Sequence, residues 1–330
     1  LIKKNKLQNS SLSYGKQFIS NKDIDVVKKV LKSTFITQGP QVSLFEKKIS
    51  AKFGSKYTSV FSSGTAALHV LATALNWGKR DTIVTTPITF LASSNCILYS
   101  GAKPDFVDIN EISYTIDVNK LEHKLKNLKK TGKKIKAVIA VDYAGNPCDW
   151  KSLRFLANKY SFTLINDNCH AIGSKYKNSL KYAIKFADFV THSYHAVKNI
   201  TTGEGGAILT NLKSYKDKFD QLRSHGVEKN NKKNVGPWFY EMKKLGFNYR
   251  LTDIQCALGI NQLESLNFRI RKRRALAKNY DKAFKNIESF KIPKILHSRQ
   301  SSYHLYPLQF NFKKKKISKI YFFKKIKKKN

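Results

Sequence analysis

Short apolar segments alternate with helical patterns over about 150 residues of this 330-residue chain. Most of the segments between the predicted strands carry apolar residues at helical spacing. This alternation predicts an α/β fold with a mostly parallel central sheet flanked by helices. In such a sheet, ligands bind at the carboxyl ends of the strands. The predicted strands are Tyr57–Phe61, Asp81–Thr86, Lys103–Asp108, Ile135–Asp142, Phe162–Asp167, Phe186–Thr191 and Ala207–Thr210.

The alternation of predicted strands and helices stops after residue 210, which suggests a second unit. We predict a large domain with an N-terminal arm over 1–245, and linker helices with a smaller α+β domain over 246–330. Helices are expected at Asp253–Leu263 and Arg269–Phe290, and a strand at His304–Phe310.

Residues 313–330 include ten lysines and no acidic residue. This stretch could be a nucleic-acid-binding tail, a helix whose packing partners are missing, or the end of a truncated reading frame. We favour the last two because Ile317, Ile320, Phe323 and Ile326 keep a helical apolar stripe.

The formal net charge of +40 is extreme and would attract nucleic acid or anionic lipid. The excess is mostly Lys spread along the chain, and the joint abundance of Lys, Asn and Ile fits an AT-rich coding bias. We favour the coding bias and expect no nucleic-acid partner, although an anionic nucleotide sugar would gain from the same field.

The chain is expected to be a cytoplasmic globular protein. Its first residues lack the apolar core of a signal peptide, and no apolar run reaches the roughly 20 residues that span a bilayer. The four cysteines show no CxxC pairing, so we expect reduced thiols and no metal site. They are Cys96, Cys148, Cys169 and Cys256.

Four candidate features lie just past predicted strands: the turn Ser63–Thr65, Phe90, Asp167 and Lys198. A small-residue turn between a strand and a helix presents free N–H groups to an anion, and a half-desolvated lysine suits Schiff-base chemistry. Each feature has a simpler alternative. The turn could be an ordinary helix start, Phe90 a core residue, Asp167 a helix N-cap and Lys198 a solvated loop lysine.

Together the four features match one kind of cofactor. A phosphate would rest on the turn, Phe90 would stack on a flat ring, Asp167 would pair with a ring nitrogen and Lys198 would hold a carbonyl. That combination describes pyridoxal 5′-phosphate.

Five stretches, in order along the chain, resemble the DegT/DnrJ/StrS family of nucleotide-sugar aminotransferases. The resemblance covers Tyr14 to about Pro307 and implies a fold-type-I pyridoxal-phosphate transferase and a homodimer with shared active sites. The family's chains continue past the position matching residue 330, so the small domain is expected to be truncated. The five stretches are Phe61–Leu68, Thr86–Phe90, Ile165–Ala171, Ser193–Gly206 and Gly246–Gly259.

Within the family, the chain is most similar to the branch that acts in pseudaminic acid biosynthesis. That branch transfers an amino group, usually from glutamate, to C4 of a UDP-linked 4-keto-6-deoxy-N-acetylhexosamine. A lysine at position 198, where a deoxygenating subgroup has histidine, favours transamination. The stretches that carry this likeness are Thr37–Gly39, Thr85–Phe90, Val141–Gly145, Lys198–Thr202, Arg223–Gly226 and His304–Pro307.

The resemblance also implies roles for individual residues. Lys198 would be the catalytic Schiff-base lysine and Asp167 the partner of the pyridine nitrogen, with His170 near the ring hydroxyl. Asn248 would reach the cofactor phosphate of the other subunit, and His195 is a weaker candidate for which packing is as good an explanation. Gly64, Thr65 and Ser193 would bind the phosphate, and the substrate-binding positions would be Tyr14, Thr34, Phe35, Ile36, Thr37 and Ser63.

Other functions stay open at this point. The chain could be another nucleotide-sugar aminotransferase that acts at C3 or on a different epimer, or a truncated inactive homologue. A basic nucleic-acid-binding protein is a further alternative and predicts steep salt dependence of DNA binding.

Overall fold

The computed structural model describes residues 15–228, 236 and 238–327. Eleven α-helices lie in these described residues: α1 Asn21–Leu31, α2 Pro40–Phe53, α3 Gly64–Ala74, α4 Ala92–Tyr99, α5 Val118–Lys130, α6 Trp150–Tyr160, α7 Tyr182–Phe186, α8 Lys213–Leu222, α9 Asp253–Glu264, α10 Leu266–Phe284 and α11 Lys319–Lys327. Thirteen strands accompany them: β1 Tyr57–Phe61, β2 Thr82–Thr85, β3 Lys103–Phe106, β4 Ala137–Val141, β5 Thr163–Asp167, β6 Lys175–Tyr176, β7 Phe189–Ser193, β8 Gly206–Thr210, β9 Val227–Glu228, β10 Glu241–Met242, β11 Phe290–Lys291, β12 Arg299–Gln300 and β13 Gln309–Phe310.

The centre of the molecule is a seven-stranded sheet with the strand order β1-β8-β7-β5-β4-β2-β3. Strand β8 runs antiparallel to both of its neighbours, and the remaining neighbouring pairs in this sheet are parallel. The predicted α/β fold with a mostly parallel sheet is therefore confirmed. Because six strands point the same way, their carboxyl ends share one edge of the sheet.

The sheet is covered by helices on both faces, which explains why its inner strands are apolar throughout. In β4, Val138 and Ala140 pack into one apolar cluster with α5 and α6, while Ala137 and Ile139 pack into the other with α3 and α4. All five residues of β4 are buried. The fold therefore fixes the positions of the strand ends tightly.

Helix α9 ties the 246–330 region to the start of the chain. The carboxylate of Asp253 accepts from the N–H groups of Gly39 (2.7 Å) and Gln41 (2.8 Å) at the beginning of α2. Buried Asp23 in α1 accepts from the side chains of Asn261 (2.7 Å) and Gln262 (2.9 Å). The predicted domain boundary near residue 245 stays a prediction.

The expected strand at His304–Phe310 is wrong over most of its length. Only Gln309–Phe310 is paired, with Phe290–Lys291. The preceding residues instead form an irregular segment that contacts the loops after β4 and β5. Ser302 donates to the carbonyl of His170 (3.0 Å), and Arg273 donates to the carbonyl of His304 (3.3 Å). The contact from Arg273 takes up the carbonyl of His304, a backbone group that a strand would pair.

Two further boundaries differ from expectation. Strand β7 begins at Phe189 and not at Phe186, because Phe186 ends the short helix α7. Helix α10 ends at Phe284, so Phe290 is free to join β11. Within the part of the chain that the structure describes, no helix combines the length and apolarity that crossing a membrane requires.

Candidate active site

A cavity of about 740 Å³ opens at the carboxyl ends of the parallel strands. Its walls come from the segments that follow β1, β2, β4, β5 and β7, as the topology dictates. The structure thus brings together most of the predicted site residues, although they are far apart in sequence. Those that line the cavity are Ser63, Gly64, Thr65, Phe90, Asp167, His170, Ser193 and Lys198.

The turn after β1 has the geometry of an anion site. Helix α3 begins at Gly64, so the N–H groups of Gly64 and Thr65 have no carbonyl partner one turn earlier in the helix. Ser63 caps the helix by accepting from the N–H of Ala66 (3.0 Å). The helix-start alternative is therefore correct for Ser63, and it leaves the next two N–H groups facing a ligand site.

Close backbone packing explains the small residues at this turn. A Cβ on Gly64 would lie 2.8 Å from the Cβ of Ser193, and one on Gly206 would lie 2.7 Å from the backbone nitrogen of Gly64. Larger residues at either position would push the turn away from β7 and β8. Glycine at both positions keeps the turn pressed against the strand that carries Ser193.

Asp167 is the last residue of the central strand β5 and is buried. Its Oδ1 accepts from the N–H of Cys169 (3.1 Å), and its Oδ2 accepts from the hydroxyl of Ser93 (2.7 Å). The alternative of a helix N-cap is wrong, because the next helix begins only at Tyr182. The carboxylate instead faces the cavity.

Lys198 lies on the loop between β7 and β8 and is half-buried in the cavity wall. Its N–H donates to the carbonyl of His195 (2.9 Å), and the side chain of Asn199 anchors the loop on the carbonyl of Ile172 (2.7 Å). Burial lowers the pKa of the Lys198 amine, although the nearby Cys169 and Asp167 act in the opposite direction. The solvated-loop alternative is therefore wrong.

His170 lines the cavity beside Lys198 as a neutral imidazole. Burial and the positive charge of Lys198 lower its pKa to about 3, although Asp167 opposes the shift. The N–H of Ala144 donates to His170 Nδ1 (3.4 Å), which leaves Nε2 as the protonated nitrogen. The ring can therefore donate one hydrogen bond from Nε2.

Phe90 and His195 also border the cavity. The side chain of Phe90 is 65% exposed, so the alternative that it packs in the core is wrong. His195 Nε2 lies 3.7 Å from the Glu204 carboxylate on the same loop.

Sequence reasoning missed His304 as a site residue. Its ring packs against that of His170, with the ring centroids 4.4 Å apart, and it lines the cavity. The stretch His304–Pro307 carried part of the family likeness, but it was assigned to a strand of the second domain. Thr89, Tyr143, Cys169 and Glu204 line the cavity as well and carried no sequence signal of their own.

Several predicted site residues do not line this cavity in their own chain. Asn248 forms a bridge with Ser224, and Thr37 forms one with Thr252. Tyr14 lies outside the described residues. The other positions of the loop, Thr34, Phe35 and Ile36, lie outside the cavity as well.

The chemical groups that line the cavity fit pyridoxal phosphate. It offers unpaired helical N–H groups for a phosphate, an accepting carboxylate for a ring nitrogen, an exposed aromatic face and an amine of lowered pKa. A Cβ at Gly64 would clash with Ser193, so glycine lets the turn and Ser193 lie close together on the cavity wall.

The sequence profile of the DegT/DnrJ/EryC1/StrS aminotransferase family matches residues 17–329. The chain belongs to this family. It is a sugar aminotransferase, and its cofactor is pyridoxal phosphate, as the sequence predicted. Aminotransferases of this family act on a sugar substrate and an amino donor.

Its relatives share the fold over most of their length. The UDP-4-amino-4,6-dideoxy-N-acetyl-beta-L-altrosamine transaminase of Campylobacter jejuni serotype O:2 is 42% identical over 298 residues, which are 90% of this chain and 76% of that protein. The structure of Helicobacter pylori PseC, an aminotransferase of pseudaminic acid biosynthesis, has a TM-score of 0.82 at 36% identity and covers 92% of this chain and 78% of its own. Spr1654 from Streptococcus pneumoniae, in its PLP-form, has a TM-score of 0.79 at 26% identity and covers 92% and 79%.

Proposed function

We propose that this family member transfers an amino group from glutamate to C4 of a UDP-linked 4-keto-6-deoxy-N-acetylhexosamine. The product is UDP-4-amino-4,6-dideoxy-N-acetyl-β-L-altrosamine, a precursor of a nonulosonic (pseudaminic) acid. The name and the 42% identity of the Campylobacter jejuni relative support this substrate. The net charge of +40 favours an anionic nucleotide sugar.

The observation that carries the proposal is the amine of Lys198, half-buried in one cavity with the Asp167 carboxylate. When bound, pyridoxal phosphate supplies a carbonyl that carries the amino group and a ring that accepts the electron pair of the broken C–H bond. In this proposal Lys198 would hold the cofactor through a covalent bond from Nζ to the cofactor's carbonyl carbon. Once the amino donor has taken its place, Lys198 would be a free amine beside the reacting carbon.

The lowered pKa of Lys198 suits its second task. A lowered pKa enlarges the neutral fraction of the free amine, so Nζ could accept a proton from the donor carbon in the first half of the reaction and deliver a proton to sugar C4 in the second half. The loop contacts of Lys198 keep the amine at the cavity wall while it does so.

The remaining residues of the cavity bind and orient the cofactor in this proposal. Gly64 and Thr65 would hold the phosphate through their N–H groups, with Ser193 beside them. Asp167 would accept a hydrogen bond from the ring nitrogen and keep it protonated, and Phe90 would cover one ring face. The Nε2–H of His170 would donate to the ring hydroxyl.

A second copy of the chain would complete the site. Apolar side chains near the cavity mouth, Phe90 at 65% and Leu91 at 67% exposure, favour burial against a partner. Asn248 and the loop Thr34–Thr37 lie outside the cavity of their own chain, so we propose that they act in the partner's cavity, with Ser63 and Tyr14 completing the sugar site. The four free cysteines fit a cytoplasmic location.

The assay that tests this function uses ¹⁵N-glutamate, pyridoxal phosphate and UDP-4-keto-6-deoxy-N-acetylhexosamines of both C5 configurations. We expect an amino sugar that carries ¹⁵N at C4, identified by mass and NMR, and none from Lys198→Ala. Keto sugars on other nucleotides and 3-keto sugars serve as comparators. Preference for one of those would replace the proposed substrate with another nucleotide sugar.

A further inference from the structure

A buried serine outside the predicted site touches the carboxylate at its centre. Ser93 lies in the first turn of α4 and is fully buried, and its hydroxyl lies 2.7 Å from Asp167 Oδ2. The hydroxyl of Thr89, which lines the cavity, lies 2.9 Å from that of Ser93. The three side chains form a continuous hydrogen-bonded chain from the cavity wall to the carboxylate.

The direction of this chain follows from donor chemistry. An ionised carboxylate only accepts, so the single proton of the Ser93 hydroxyl points at Asp167. Ser93 must then accept from Thr89, which becomes the donor at the start of the chain. Hydrogen bonds that run in one direction polarise and strengthen one another.

The two oxygens of Asp167 are held by different parts of the fold. Oδ1 accepts from the N–H of Cys169, two residues along its own loop. Ser93 belongs instead to the segment after β2, which also carries Phe90. The hydrogen bond from Ser93 therefore fixes the plane of the carboxylate relative to the aromatic wall.

The start of α4 adds an electrostatic contribution. The first turn of a helix carries a partial positive charge, and Ser93 places the Asp167 oxygen at that turn. The N–H of Ser93 donates to the carbonyl of Phe90 (3.2 Å), so the position of its hydroxyl is set by the same turn.

We propose that Ser93 is a positioning residue of the aminotransferase reaction, with Thr89 as its support. Ser93 acts through Asp167: it holds one carboxylate oxygen so that the other faces the ring nitrogen of the cofactor and keeps that nitrogen protonated. The inference rests on the proposed role of Asp167. It assigns to Ser93 and Thr89 a role in the reaction, in addition to their place at the beginning of α4.

The test measures the protonation of the cofactor's ring nitrogen directly. Wild type, Ser93→Ala and Ser94→Ala are loaded with pyridoxal phosphate labelled with ¹⁵N in the ring, and the ¹⁵N chemical shift is followed with pH. Ser94 is the matched control because it is the next residue of α4, and its hydroxyl donates to the carbonyl of Leu91 (3.0 Å), away from Asp167. Ser93→Ala and Ser94→Ala therefore each remove one hydroxyl group from α4.

We expect the ring nitrogen of Ser93→Ala to lose its proton about one pH unit lower than wild type, equivalent to ~1.4 kcal/mol. Ser94→Ala should titrate like wild type, and Ser93→Thr, which keeps the hydroxyl, should restore the wild-type titration. A Ser93→Ala protein that melts normally and titrates like Ser94→Ala overturns the inference.

A second variant covers the case in which Ser93→Ala does not fold. Thr89 is half-buried at the cavity wall, and Thr89→Val keeps its shape while removing the donor to Ser93. It should shift the titration in the same direction by a smaller amount, and no shift counts against the inference. Failure of wild type to bind the labelled cofactor would instead contradict the proposed function.

Discussion

The imidazole of His304 packs against that of His170, with the ring centroids 4.4 Å apart and the ring planes inclined by 44°. This contact brings the segment around residue 304 onto the wall of the cavity that holds Lys198. Burial lowers the pKa of His304, and the positive charges around it act in the same direction. Two neutral imidazoles therefore lie side by side in the wall of the cavity that also contains the Lys198 amine.

Replacing His304 should weaken sugar binding without loss of the cofactor. The ring lines the cavity, and among the described residues none hydrogen-bonds its buried Nδ1. We expect His304→Ala to raise KM for the keto sugar roughly tenfold, or ~1.4 kcal/mol, with little change in kcat. Steady-state kinetics and cofactor titration measure both effects.

His297→Ala is the matched control, because His297 is exposed. It should leave KM unchanged. A wild-type KM for the sugar in His304→Ala would remove His304 from the substrate site.

The rate at which Lys198 reacts with the cofactor should rise with pH, and the midpoint of that rise should lie below 10.5, the ordinary pKa of a lysine. Only the neutral amine attacks a carbonyl, and burial makes the neutral form available at lower pH. In Asp167→Asn the midpoint should move lower still, because the lost negative charge no longer stabilises the ammonium form. Stopped-flow absorbance after mixing apoprotein with pyridoxal phosphate measures the rate at each pH.

Free Nα-acetyl-lysine provides the reference for that experiment. A protein midpoint at or above the reference, or an upward shift in Asp167→Asn, would show that burial does not control the amine.

The buried ion cluster around Glu46 should stabilise the fold at neutral pH. Glu46 accepts from Arg223 Nη1 (2.6 Å) and lies 2.9 Å from Lys216 Nζ, with its side chain 12% exposed. Burial opposes its ionisation, but the charges of Arg223 and Lys216 outweigh it and hold the pKa of Glu46 below 4.5. Glu46→Gln should lower the free energy of unfolding by about 3 kcal/mol, measured in urea.

The contribution of Glu46 to the free energy of unfolding should decrease as the pH falls. Because the folded pKa is lowered, the contribution of Glu46 is present above 4.5 and is lost as the pH falls through the folded pKa. The difference between wild type and Glu46→Gln should therefore shrink in acid. Glu264→Gln, at an exposed ion pair with Lys48, should cost less than ~1 kcal/mol, and an equal loss in both variants would contradict the account.

Two inactive variants should restore activity when they are mixed. If Asn248 acts in the partner's cavity, a heterodimer of Lys198→Ala and Asn248→Ala contains one site with both native residues. Random pairing then gives about a quarter of the wild-type activity. Activity is measured after the two proteins are unfolded together and refolded.

The same mixture also tests the alternative in which each chain builds its own site. Without sharing, both sites of the heterodimer carry a substitution, and the mixture stays inactive. Each variant refolded alone is the control.

Local sequence patterns were sufficient to predict the sheet and the residues at its strand ends. Lys198, Asp167 and the turn at Ser63–Thr65 each follow an apolar strand, and parallel strands bring such positions to one edge. His304 was missed because its docking depends on long-range hydrogen bonds from Ser302 and Arg273, which leave no local periodicity.

Other residues were missed for different physical reasons. Ser93 looks like an ordinary small residue of a helix, and only the packing of α4 against β5 shows its contact with Asp167. The loop Thr34–Thr37 and Asn248 lie outside the cavity of their own chain, so the roles proposed for them require a second copy.

The attachment point of the cofactor is the most direct test of the account. Protein loaded with pyridoxal phosphate is reduced with borohydride, digested and analysed by peptide mass spectrometry, with Lys198→Ala treated in parallel. We predict a single cofactor adduct on Lys198 in wild type and none in the variant, although the chain contains 62 lysines and arginines. An adduct on another lysine, or no adduct in folded wild-type protein, would contradict the assignment of Lys198 and the function built on it.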